Sequence, residues 1–90
     1  MKALLILKKA DPITAENFSK LIQGLTVTTY DEFAKVIEKE NYDYIIVQSE
    51  YLDDSFDVLD YLLSKGYGTD QIFIFVNPID IIDLEMIDDD

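Results

Sequence analysis

The chain has 90 residues, no cysteine, no histidine, no tryptophan and no arginine, and carries 19 acids against 7 lysines for a net charge of −12. Those absences exclude disulfides, thiolate metal sites, thiol nucleophiles, imidazole bases and forked guanidinium recognition of phosphate. With 49 % hydrophobic residues, six Tyr and five Phe, the composition is that of one globular domain spanning 1–90.

The charge is unevenly placed. Residues 1–39 hold five acids and six lysines, whereas residues 40–90 hold fourteen acids and Lys65 alone. The N-terminal apolar run Ala3-Leu4-Leu5-Ile6-Leu7 stops at Lys8 and Lys9, short of the roughly 7–15 residues of a secretory h-region. No stretch approaches the ~18 apolar residues of a membrane span. A soluble, cytoplasmic protein with no membrane partner is expected.

In chain order, Lys2–Leu7 reads as a buried strand. Asp11-Pro12 marks a break, and Thr14 is placed to cap a helix over Ala15–Gln23 whose apolar face is Phe18, Leu21 and Ile22. Gly24 stops it. Leu25–Tyr30, β-branched and alternating, is a second strand. Asp31 then caps a helix with Phe33, Val36 and Ile37 inward, ending near Asn41. Tyr44–Val47 is a third strand, continuous enough for burial on both faces. Asp53 opens a third helix with Phe56, Leu59, Leu62 and Leu63 inward, stopped at Gly66-Tyr67-Gly68. Ile72–Val76 is the fourth and strongest strand. After the helix-starting pair Asn77-Pro78, residues 79–87 read as a short helix, with a fifth strand as the alternative. Alternating strands and helices imply an α/β fold: a four-stranded, mainly parallel sheet in the order 2-1-3-4 with three to four helices.

This order of elements, with the phrase Asn41-Tyr42-Asp43-Tyr44-Ile45-Ile46-Val47-Gln48, resembles the first four βα units of a flavodoxin-like receiver domain. The resemblance implies a phosphoacceptor carboxylate after the third strand and an acidic metal-binding pair after the first. Here those places hold Gln48 and Lys8-Lys9, and Asn77 stands where a hydroxyl residue is expected. Phosphoryl transfer needs carboxylates to hold Mg²⁺ and one to attack. The chain therefore shares a pattern with receivers without their chemistry. Gly24, Gly66 and Gly68 form neither a dinucleotide fingerprint nor a phosphate loop. No enzyme, cofactor or metal site is expected.

What remains is the acidic C-terminal half. Asp53, Asp57 and Asp60 fall within about 60° of one another on a helical wheel, with Asp54 beside them. Asp53 and Asp54 suit a helix N-terminus. Asp57 and Asp60 gain nothing from it, and a plain solvated helix face is the simplest account of them. Asp80, Asp83, Glu85, Asp88, Asp89 and Asp90 form a second acidic group, interleaved with Ile79, Ile81, Ile82, Leu84, Met86 and Ile87. Those six apolar residues are too many for one face of a short helix, and a homodimer interface is the simplest cover for them.

Carboxylates at helical spacing lie ≈ 5–6 Å apart, comparable to phosphates along a strand. In size and charge the chain resembles the DNA-mimic inhibitors that phages use against host restriction and other defence nucleases. That resemblance implies a basic, nucleic-acid-binding protein as partner, in a bacterial host cytoplasm. Glu50, Asp53, Asp54, Asp57, Asp60, Asp80, Asp83, Glu85 and Asp88 are the expected partner-binding residues. Direct binding to nucleic acid is disfavoured by the net charge. The competing expectation is a catalytically silent receiver-like adaptor or dimerisation domain.

Overall fold

The computed structural model describes residues 2–49 and 52–76, the side chains of 52–55 and 76 excepted. Four strands, β1 (Ala3–Leu7), β2 (Thr26–Thr29), β3 (Tyr44–Ser49) and β4 (Ile72–Val76), alternate with helices α1 (Pro12–Leu21), α2 (Phe33–Lys39) and α3 (Leu52–Ser64). All strand pairs are parallel and the sheet order is β2-β1-β3-β4. The α/β fold and strand order expected from the sequence are therefore present, with three helices among the described residues. Glu50 and residues 77–90, including the expected Asn77-Pro78 cap and the segment 79–87, lie outside the described residues.

Register divides the strand side chains into two layers. Leu4, Ile45 and Ile72 lie in one row and Ile6, Val47 and Ile74 in the next, on the face that α2 and α3 cover. Ile37 of α2 and Val58 and Leu62 of α3 join Leu4, Ile6, Ile45 and Val47 in the buried core. Phe33 meets Tyr61 edge-on at 5.2 Å between ring centroids, tying α2 to α3. The opposite face carries Leu5, Ile46 and Phe73 in one row, and Gln48 and Phe75 in another. Helix α1 packs there through Phe18, whose ring lies 4.9 Å from that of Phe75.

The helix boundaries correct several local expectations. Asp11, not Thr14, caps α1: its carboxylate accepts from the Thr14 backbone N–H at 3.2 Å, and Pro12 occupies the first turn. Proline's missing N–H costs nothing at that position, so Asp11-Pro12 begins the helix where a break was expected. Helix α2 follows Glu32, without a side-chain cap, so Asp31 does not cap it. Helix α3 begins at Leu52, which puts Asp53 inside its first turn.

The stop of α3 is as expected, whereas α1 ends at Leu21 with an extended Ile22 as its C-cap, so Gly24 lies in the turn beyond the helix and does not stop it. Gly24 and Gly66 have φ of +77° and +97°, a conformation a Cβ disfavours. After α3 the Tyr67 N–H reaches back to the Leu62 carbonyl at 3.2 Å, the closing bond of a Schellman motif.

Burial also departs from expectation at the sheet margin. β3 is not covered on both faces, since Tyr44 is 39 % exposed. Leu21, assigned to the inner face of α1, is 83 % exposed. Exposure grows from β1 to β4 along the α1 side: Leu5 is fully buried, Ile46 half-buried and Phe73 50 % exposed.

Candidate functional site

The outer side of α3 is set by which of its residues face the sheet. Val58 and Leu62, one turn apart, are buried, and Tyr61 packs against them. With that side inward, a rotation of about 100° per residue turns Asp57 and Asp60 to solvent on one flank, and Phe56, Leu59 and Leu63 toward β4 on the other. Asp57 and Asp60 are exposed, as expected, and lie one turn apart. The expected inner stripe of Phe56, Leu59, Leu62 and Leu63 is corrected: Leu62 alone of the four is buried, while Phe56 is 53 % and Leu63 46 % exposed. Helix α3 carries seven apolar residues in thirteen, more than one face can bury.

The extra apolar residues continue onto the sheet. Leu59 and Leu63 line a recess of about 210 Å³ with Thr69, Ile72 and Ile74. Ile74, on the edge strand, is 44 % exposed. The surface is thus a mixed one: an apolar strip from Phe56 through Leu63 to Ile74, bordered along the helix by Asp57 and Asp60. Asp70, in the 3₁₀ turn Thr69–Gln71, is also exposed.

Among the described residues, Lys2, Lys20 and Lys65 are engaged away from Asp57 and Asp60. Lys2 pairs with Glu40 at 3.3 Å and its backbone N–H donates to Asp43 at 2.8 Å, so two acids of the C-terminal half are engaged at the other end of the sheet. Lys20 pairs with Glu16 within α1 at 3.5 Å. Lys65, the cation nearest in sequence, lies 5.4 Å over the Tyr61 ring. Neither Asp57 nor Asp60 has an ion-pair partner among the described residues.

Of the other expected binding residues, Asp53 and Asp54 fall in the first turn of α3, their side chains undescribed. Glu50, Asp80, Asp83, Glu85 and Asp88 lie outside the described residues, as do the expected dimer residues Ile79, Ile81, Ile82, Leu84, Met86 and Ile87. Sequence reasoning missed Phe56, Leu63 and Ile74 as surface residues. The signal was the i, i+4 pair Val58 and Leu62 with Tyr61 between them, a competing inner face for the same helix.

At the C-terminal end of the sheet, Gln48 has a structural task. It is buried, its Oε1 accepts from the Lys8 N–H at 3.1 Å, and its own carbonyl accepts from the Tyr30 hydroxyl. The side chain at the position of a receiver's phosphoacceptor thus ties β1 to β3. No group of three or more metal-ligating side chains occurs among the described residues, and no helix there is long and apolar enough to cross a membrane.

Comparison with protein families, with curated proteins and with solved structures finds no match to this chain.

Proposed function

We propose that this chain is a binding domain without catalytic activity, which docks the outer side of α3 onto a positively charged protein surface. The partner class is a nucleic-acid-binding protein, such as a restriction or defence nuclease, whose groove the domain occupies in place of the backbone phosphates. The observation that carries this reading is the exposed pair Asp57 and Asp60, without cation partners among the described residues, beside the exposed Phe56 and Leu63. Carboxylates in such a pair supply the charge that a basic groove is built to neutralise. The adjoining apolar side chains add what phosphate lacks, a desolvated anchor that favours a protein partner over a bare cation.

A second reading is favoured by β4, beyond which no strand is paired among the described residues. Phe73 and Ile74 expose opposite faces of that strand, which fits an adaptor joined to its partner through the sheet margin.

Competition separates the two. The domain is immobilised, a purified basic DNA-binding protein is retained on it, and elution with duplex DNA is compared with elution by salt. Release by both supports the charge-mimicking reading. Retention that ignores DNA and salt refutes it in favour of the edge-strand adaptor.

A further inference from the structure

A wide apolar recess lies on the other side of the sheet from α3. The chain moves from β1 to β2 in one direction across the sheet, then from β2 to β3 and from β3 to β4 in the other. Right-handed crossovers place α1 on one face and α2 and α3 on the opposite one. Four strands about 4.8 Å apart span more than one helix about 10 Å wide can cover. The uncovered part is a groove of about 920 Å³ beside α1. Tyr44, Ile46 and Phe73 form its floor, with Phe18, Ile22 and Phe75 around them, and among the described residues no charged side chain lines it. Tyr44 and Phe73 approach to 5.9 Å between ring centroids, yet are 39 % and 50 % exposed.

We propose that this groove is the docking site of the chain's own residues 79–87. Phe75 belongs to the groove and Val76 is the last described residue, so residue 79 lies four positions along the chain from the groove lining. The residues that follow include Ile79, Ile81, Ile82, Leu84, Met86 and Ile87. Nine residues span about 13 Å as a helix and about 30 Å when extended. Either length suffices to follow a five-residue strand of about 16 Å. The uncharged lining accepts the apolar side chains and leaves Asp80, Asp83 and Glu85 to water.

Tethering decides against a second copy as the occupant. A segment attached a few residues away acts at an effective concentration on the order of millimolar. A second molecule must reach the groove from free solution against the repulsion between two chains of net charge −12.

The absence of cysteine makes the test direct. Tyr44→Cys places a single thiol in the groove, and its maleimide-labelling rate is measured in the 90-residue chain with and without Ile82→Asp, Leu84→Asp and Met86→Asp. The triple substitution is expected to accelerate labelling by at least about tenfold, as local protection is lost. Protection in the parent is expected to be independent of protein concentration. Phe73→Cys is the second reporter, read in the same way if Tyr44→Cys does not fold. Equal rates with and without the three substitutions overturn the proposal. Protection that rises with protein concentration also overturns it, and assigns the groove to a second copy.

Discussion

Phe18 of α1 and Phe75 of β4 set their rings 4.9 Å apart with planes inclined at 51°, joining the first helix to the last described strand. Both rings are half-buried, and the pair spans the part of the sheet that α1 leaves open. Phe18→Ala is expected to lower stability by about 1–3 kcal/mol, less than a fully buried Phe→Ala. Urea unfolding measures the loss. Hydrogen exchange should show β4 amides opening more than those of β1, because the buried row of β1 keeps its contacts with β3.

Gln48 offers a test of the tie between β1 and β3. Gln48→Leu puts an apolar side chain of similar size in its place and removes the acceptor for the Lys8 N–H. A loss of about 1–2 kcal/mol is expected. A midpoint unchanged in urea would show that this hydrogen bond does not hold the strand ends together.

The general architecture was legible because each strand is an apolar run and each helix carries its own turn-spaced apolar positions. Crossover handedness then assigned the helices to their faces, and the strand order was that of the flavodoxin-like pattern the chain resembles. The outer surface was harder to read. Helix α3 has two overlapping apolar stripes, Phe56-Leu59-Leu63 and Val58-Tyr61-Leu62, and only the position of β4 at the sheet edge decides between them. With no described strand beyond β4, the first stripe lacks cover and the second takes the core. Capping was missed for a local reason: Asp11 and Thr14 are both good caps, and they bond to one another, so the pair fits either start. Asp57 and Asp60 were legible because the exposed side of their turn holds under either rotation.

The Asp11 cap makes α1 sensitive to acid. Hydrogen bonds from the Thr14 hydroxyl, and next from its backbone N–H, hold the Asp11 carboxyl below its ordinary value. A carboxyl depressed in the folded chain adds stability that is present above the unfolded value and lost as pH falls through the folded one. Asp11→Asn keeps a capping oxygen without the titration. Its stability should therefore fall less steeply than the parent's below about pH 4, the usual carboxylate range. Urea midpoints across that range give the comparison, and parallel curves would contradict it.

Tyr42 acts at the other end of the scale. Burial raises its hydroxyl above the ordinary value, against the opposing hydrogen bond with Thr26. A raised group of this kind contributes stability that is complete below the unfolded value and lost as pH climbs through the folded one. The folded chain should therefore lose stability above about pH 10. Tyr42→Phe should flatten that decline, while tyrosinate absorbance shows one late-titrating hydroxyl fewer.

The mixed character of the α3 surface separates charge from apolar anchoring in a binding measurement. Asp57→Lys with Asp60→Lys moves the net charge from −12 to −8. Both positions are exposed, so folding stability should stay within about 0.5 kcal/mol. Affinity for a basic nucleic-acid-binding partner should drop at low salt, and its dependence on salt should become shallower, because fewer partner charges are neutralised. Phe56→Ala removes an apolar side chain and no charge. It should weaken binding by about 1–2 kcal/mol at every salt concentration and leave the slope unchanged. If the double lysine variant keeps the parent's salt slope, the carboxylates of α3 take no part in binding. If Phe56→Ala is silent while the lysine variant is not, the interaction is one of charge alone and the apolar strip serves another contact.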